Sequence, residues 1–125
     1  MNVLPEEVLN EWKNRQPAVV FTTVAKDGTP NSIYATCVGL FEDSKIVIAD
    51  NFFHKTAENI RSGSPASVLF ITKEDKAYQI KGKIEYYDSG KYFDFMKSWN
   101  PEKLPGHGAA VIIPEKVYTG ATELK

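Results

Sequence analysis

The sequence has little of what metal sites and disulfides are made from. Its 125 residues include one cysteine, Cys37, and two histidines, His54 and His107, that lie far apart. A single cysteine excludes a disulfide within the chain, and neither histidine has a partner at the spacing of a zinc site. We therefore expect no metal, and we expect Cys37 to be a buried, unreactive strand residue.

An excess of charge and long apolar runs are also missing. Lys and Arg number 15 and Asp and Glu number 16, whereas a nucleic-acid-binding domain normally carries a basic excess. The longest apolar runs, at 68–71 and 109–113, are far shorter than the roughly 20 residues of a membrane-spanning helix. We expect neither nucleic acid nor membrane as a partner. The start, MNVLPEE, lacks the basic and apolar regions of a signal peptide, so we expect a cytoplasmic protein.

What the sequence does have is the pattern of a small β protein in one domain, 1–125. Asp27 and Gly28 form a turn signal between two Val- and Thr-rich runs, and residues 77–87 alternate between apolar and polar. Pro114 is expected to break the last strand. The predicted strands are 18–25, 32–41, 45–49, 66–72, 77–87, 109–113 and 116–118. The predicted helices are 5–14, from 54–56 to 61 or 62, and from a cap at 88 or 89 to 99.

These six or seven strands and about three short peripheral helices predict a mainly β fold. Most neighbouring strands are joined by tight turns, and antiparallel hairpins that hide their edges often close into a barrel. We therefore predict a small antiparallel β-barrel. In the last helix, Tyr92, Met96 and Trp99 share one face. This face is expected to pack on the barrel, with a lid or dimer contact as the alternative.

The run IVIADNFFHKTAENI, residues 46–60, is the most informative segment. It predicts a strand, a short loop and a helix start, where free backbone N–H groups favour an anion. Lys55 adds a positive charge, Thr56 a hydroxyl and His54 a third donor, so the segment can hold a phosphate. The alternative is that Thr56 only caps the helix and Lys55 is solvated. Spacing alone favours that alternative, because the glycine-rich phosphate-loop patterns are absent.

This run and the preceding hairpin, VVFTTVAKDGTPNSIYATCVGLFEDSK, resemble the flavin-binding split-barrel family related to pyridoxamine 5′-phosphate oxidase. The later segments PASVLF, YQIKGKIEYY and AAVIIPEKVYTG follow in the order found in the small FMN-binding members. The resemblance covers nearly the whole chain. It implies a split, Greek-key type barrel with FMN at a homodimer interface.

The resemblance also implies which residues touch the cofactor. The second strand would run beside the flavin ring and ribityl chain, the end of the third strand would meet the ring edge, and the following helix start would hold the phosphate. Gln79 would reach the partner subunit's flavin, and Trp99 would flank the ring across the interface. The implied set is Tyr34, Ala35, Thr36, Cys37, Ile48, Ala49, Asp50, Asn51, His54, Lys55, Thr56, Asn59, Gln79 and Trp99.

The implied function is flavin-dependent oxidoreduction or electron transfer, with a redox protein or a small molecule as the reaction partner. FMN supplies the redox chemistry, so the chain needs no acid–base pair of its own. Two alternatives stay open. One is pyridoxamine phosphate oxidation, which is less favoured because the chain ends soon after VYTG, before the segment where those enzymes carry substrate-binding residues. The other is a cofactor-free barrel for interaction or ligand storage.

Overall fold

A computed structural model describes residues 3–125; residues 1 and 2 lie outside it. The helices are α1 (Glu6–Trp12), α2 (Lys55–Arg61) and α3 (Lys91–Trp99). The strands are β1 (Val19–Val24), β2 (Pro30–Ala35), β3 (Val38–Phe41), β4 (Lys45–Ala49), β5 (Ala66–Ile71), β6 (Ala77–Tyr87), β7 (Ala109–Thr119) and β8 (Thr122–Leu124).

The strands form one curled antiparallel sheet, which confirms the predicted fold class. Their order is β2-β1-β5-β6-β7-β4-β3, and β8 pairs with the far end of β7. The hairpin between β1 and β2 is the one that Asp27 and Gly28 predict. Gly28 has φ +91°, a conformation that glycine adopts without strain. β2 and β3 follow one another in the chain yet form the two ends of this strand order, so the barrel is split between them.

The concave side of the sheet encloses the main core. Val19 and Phe21 of β1, Val68 of β5 and Ile80 of β6 are fully buried there. Helix α1 adds Trp12, whose ring meets that of Phe70 edge-on at 5.3 Å between centroids. One side of every central strand is thus buried against α1 and the opposite strands.

A second cluster lies on the outer side, where α3 covers β3, β4 and β7. Tyr92 and Met96 of α3 pack against Val47 of β4 and Val111 of β7. Packing on the barrel, the favoured role for this aromatic helix face, is therefore confirmed. Because β4 is covered on both sides, its apolar residues run without alternation.

The predicted strand 32–41 is wrong as one element. The chain leaves β2 after Ala35 and enters β3 at Val38, so Thr36 and Cys37 form a two-residue step between the two ends of the sheet. Local β propensity runs through this step, and only the closure of the sheet reveals the break. Cys37 is half-buried rather than fully buried.

The predicted break at Pro114 is also wrong, because β7 is continuous and β8 follows it. Gly82 pairs with Pro114 and Lys81 with Lys116, so a bulge leaves Glu115 without a partner in the ladder. Proline lacks an N–H and is tolerated at bulges. A Cβ on Gly82 would overlap the carbonyl oxygen of Ile113, which explains glycine at this position.

Three helix boundaries differ from the prediction. Helix α1 begins at Glu6, with Pro5 as its N-cap, rather than at residue 5, and it ends at Trp12 rather than at residue 14. Helix α3 starts after Gly90, which has φ +90° and takes the capping position that we expected of Asp88 or Ser89. Glycine is one of the residues that this position tolerates.

We expect Gly82→Ala to lower the free energy of unfolding by about 1–3 kcal/mol, the usual cost of overpacking. The added methyl group would push Ile113 out of register beside the bulge. Urea denaturation measures the change. Lys83→Ala, at an exposed position of the same strand, should change stability by less than about 0.5 kcal/mol. Equal stability of the two variants would contradict the close approach.

Candidate functional site

A cleft lies where the sheet is split, and we call it the corner cleft. It has a volume of about 330 Å³ and is formed by the end of β2, the step to β3, the end of β4 and the loop after β4. Six residues of the predicted cofactor set line it: Tyr34, Ala35, Thr36, Cys37, Ala49 and Asn51. Four residues outside the predicted cofactor set complete it: Ile33, Phe52, Phe53 and Leu104.

The corner cleft is mainly apolar and is open on one side. Ala35 and Ala49 are buried in its wall, whereas Tyr34 and Phe52 are 80% and 78% exposed. Both rings border the same opening, and exposed apolar side chains that cluster in one place often mark a binding site. The backbone N–H of Ala49 donates to the Cys37 carbonyl at 3.0 Å, which holds the two walls together.

Asn51 is fixed by a buried pair of amides. Its Nδ2 donates to Asn100 Oδ1 at 3.0 Å, and Asn100 Nδ2 donates back to Asn51 Oδ1 at 2.9 Å. The backbone N–H of Gly106 donates to the same Asn51 oxygen at 2.9 Å. The side chain of Asn51 therefore anchors the corner cleft to the end of α3 and the following loop.

Asp50, the preceding residue, lies outside the corner cleft. Its Oδ2 accepts a hydrogen bond from the hydroxyl of Tyr86 at 2.6 Å, and its Oδ1 accepts one from the backbone N–H of Phe53 at 3.1 Å. Burial and the hydrogen bond to Asp50 raise the pKa of Tyr86 well above its usual value, so the phenol stays protonated. Asp50 thus orients the loop that rims the cleft.

The start of α2 has an exposed and a buried part. His54 and Lys55 are exposed, and Lys55 Nζ lies 3.2 Å from Glu58 Oε2. Thr56 and Asn59 are buried, so they face the sheet. Thr56 Oγ1 accepts from Asn31 Nδ2, and Asn59 Nδ2 donates to Thr23 Oγ1, each at 3.0 Å. Thr56 does not cap the helix, whose capping position is His54.

The other predicted site residues lie away from the corner cleft within this chain. Ile48 is buried in the main core. Gln79 lies on the outer side of β6, where its Oε1 accepts from Ser67 Oγ at 2.8 Å. Trp99 packs over Gly39, where an added Cβ would lie 2.9 Å from its indole nitrogen. The roles of Gln79 and Trp99 toward a partner subunit, and the contact of Ile48 with the ring edge, stay predictions.

Two further observations concern metal sites and membrane-spanning helices. Within residues 3–125, no group of three or more His, Cys, Asp or Glu side chains is placed to hold a metal ion. No helix in that range has the length and apolar character needed to cross a membrane.

Comparison with known proteins agrees with the architecture. A family model described as pyridoxamine 5′-phosphate oxidase matches residues 5–120. An uncharacterised protein of Methanocaldococcus jannaschii is 32% identical over 121 residues, which cover 92% of this chain and 79% of that protein. The chain therefore belongs to the pyridoxamine 5′-phosphate oxidase family, and the resemblance noted in the sequence is confirmed.

Solved structures share the fold at lower identity. The Group A Streptococcus protein HupZ superposes with a TM-score of 0.82 at 20% identity, and the match covers 98% of both chains. An FMN-binding protein from Syntrophomonas wolfei has a TM-score of 0.76 at 19% identity, covering 95% of this chain and 89% of that one. At such identities the likeness establishes the split-barrel fold.

We expect Asn100→Ala to lower the free energy of unfolding by about 1–3 kcal/mol, because it leaves the buried Nδ2 of Asn51 without its acceptor, while Asn51 Oδ1 keeps the bond from Gly106 N–H. Asn10→Ala, on the exposed side of α1, is the control and should cost less than about 0.5 kcal/mol. A double-mutant cycle with Asn51→Ala should give a clear coupling energy. Additive effects would show that the two amides act independently.

Proposed function

We propose that this protein binds FMN in the corner cleft and acts in flavin-dependent oxidoreduction or electron transfer. One observation carries the proposal: six of the residues that the family resemblance implies for the cofactor line a single cleft. They come from β2, from the step to β3, and from the end of β4 with its following loop. The fold brings these segments together at one cleft.

The residues of the corner cleft suit a flat, largely apolar ring. Ile33, Ala35, Phe53 and Leu104 offer apolar surface on which a ring system can lie. Thr36 supplies a hydroxyl at one wall, and the backbone of the step supplies further polar groups. The side chain of Asn51 is hydrogen-bonded to Asn100. Its proposed role is therefore to hold the cleft wall in place, not to contact the flavin.

The phosphate of FMN would lie at the start of α2, two residues beyond Phe53 of the cleft. The exposed groups there are His54 and Lys55. Because Thr56 and Asn59 are buried and bonded to β2 and β1, their proposed contribution is to hold the helix start in position. Lys55 then gives the charge-assisted contact to the phosphate.

The open side of the corner cleft favours a second copy of the chain as its missing wall. One row of cross-strand neighbours on the outer side of the sheet leads from the cleft: Tyr34, Val20, Leu69, Gln79 and Tyr118. Leu69 is 40% exposed, and Tyr34 belongs to both the row and the cleft. We propose that this outer row meets its equivalent in a homodimer and that Gln79 and Trp99 approach the partner's cofactor.

The bound cofactor would supply the redox chemistry, and the chain would bind and orient it. An enzyme of this kind turns over with NADH or NADPH, or with a defined acceptor, whereas an electron carrier exchanges electrons with a protein and shows little turnover alone. Pyridoxamine phosphate oxidation is the second candidate, because the family model carries that description. We also propose a cytoplasmic location, which a chain with a single cysteine fits.

We expect purified protein to bind FMN with a shift of its visible spectrum, and Lys55→Ala to weaken FMN about 10- to 150-fold. That range corresponds to a charge-assisted hydrogen bond of about 1.5–3 kcal/mol. Fluorescence titration measures both. Riboflavin, which lacks the phosphate, is the matched ligand and should bind both forms equally, and Lys83→Ala is the control variant. Binding of FMN no tighter than to an unrelated protein would overturn the proposal.

We expect Leu69→Asp to separate the homodimer and to weaken FMN, because it puts an unpaired charge in the middle of the outer row. Sedimentation velocity reports the mass, and FMN titration reports the site. Val3→Asp, at another exposed apolar position, should leave both unchanged. If the parent protein is a monomer and still binds FMN, the proposed homodimer is refuted and the proposed FMN binding is not.

A further inference from the structure

A second cavity lies between α2, β6 and Asp50, and we call it the mouth cavity. It has a volume of about 310 Å³ and is lined by residues of α2 and β6 and by Asp50. It shares no lining residue with the corner cleft. Its six lining residues are Asp50, Ala57, Ile60, Arg61, Ile84 and Tyr86.

The mouth cavity lies at one end of the barrel interior. Ile84 and Tyr86 stand on the same side of β6 as Tyr78 and Ile80, which are buried in the main core. Ile60 and Ile84 themselves pack against that core. The cavity therefore continues the apolar interior outward. Small-molecule pockets have volumes of roughly 300–1,000 Å³, and the mouths of β-barrels are among the places where they occur.

The lining of the mouth cavity includes a buried hydrogen-bond acceptor, Asp50. Asp50 is only 6% exposed, and its carboxylate already accepts from Tyr86 and from the backbone of Phe53. The phenol is neutral and has given its single hydrogen to Asp50. The two Asp50 carboxylate oxygens and the Tyr86 phenol oxygen each keep a lone pair. This part of the cavity therefore favours a ligand that donates hydrogen bonds.

The cavity is lined by one charged side chain of each sign, Asp50 and Arg61. Asp88, outside the lining, adds a second negative charge that acts on the phenol of Tyr86. Asp50 is buried, whereas Arg61 is exposed and can turn toward water. A cation that reaches Asp50 therefore gains more than an anion that reaches Arg61, because the interaction with Asp50 is less screened by solvent.

We propose that the mouth cavity is a binding site for a small primary amine with an apolar body. The ammonium group donates to the Asp50 carboxylate and the phenol oxygen of Tyr86, and the apolar body packs on Ala57, Ile60 and Ile84. This site stands apart from the proposed cofactor cleft and does not depend on FMN binding.

Benzylamine is the probe, and benzoate and benzyl alcohol are its matched analogues with the same ring. With isoleucine methyl groups labelled in the full-length protein, benzylamine should shift the NMR signals of Ile60 and Ile84 saturably. Benzoate should bind at least tenfold more weakly, with benzyl alcohol in between. Saturable shifts in this order support the proposal; no saturable shift with benzylamine, or benzoate binding as tightly, overturns it.

Two variants locate the site. Asp50→Asn removes the charge and keeps the shape, and Ala57→Leu fills the cavity without touching Asp50; each should weaken benzylamine at least tenfold. Ala77→Leu, a half-buried alanine on the outer side of β6, should leave binding unchanged. If Asp50→Asn fails to fold, Ala57→Leu decides, and unchanged binding there refutes the site. The FMN titration is separate, so its failure does not affect this result.

Discussion

The step at Thr36 and Cys37 is the constraint on which the corner cleft depends. It carries the chain from one end of the strand order to the other in two residues, so β2 and β3 are joined by covalent bonds but not by a hydrogen-bond ladder. One strand through 32–41 would pair with both neighbours and close the sheet. The split instead leaves backbone and side chains of both ends facing a shared opening. The bond from Ala49 N–H to the Cys37 carbonyl fixes the width of that opening.

The loop after β4 contributes lining residues to both cavities. It is held in place because its adjacent residues Asp50 and Asn51 bond to different parts of the protein. Asp50 is held by Tyr86, and Asn51 by Asn100, so each side of the loop is anchored to a different element. The backbone of Asp50 adds two bonds, donating to the Gly108 carbonyl and accepting from His107 N–H. A glycine at 108 is needed because a Cβ there would overlap the Tyr86 ring. The loop is therefore fixed from both sides.

The elements that the sequence predicts correctly are those whose pattern lies within a few adjacent residues. The alternation along β6 and the Asp27–Gly28 turn each depend on a few adjacent residues, and both hold in the structure. The break after Ala35 and the tolerance of Pro114 depend on which strand lies alongside, and nothing within those segments signals it. Asn100 is a polar residue in a loop by sequence, and only the fold brings it to Asn51. Phe52 and Phe53 lie inside the informative run 46–60, but the sequence alone does not distinguish aromatic residues that line a cleft from aromatic residues that pack in the core.

The polar groups around the corner cleft are mostly committed to the protein itself. Asn51, Thr56 and Asn59 each have a partner on another element, which fixes the shape of the cleft before any ligand arrives. A ligand that enters a site fixed in this way does not have to order those side chains, so less binding energy is lost. The groups that stay exposed include the aromatic rings of Tyr34 and Phe52 and the polar side chains of Thr36, His54 and Lys55. Selectivity at the rim must then come from these groups, together with whatever closes the open side. In the proposed homodimer that closing surface is a second copy of the chain, so a change in the outer row alters the site as directly as a change in the cleft.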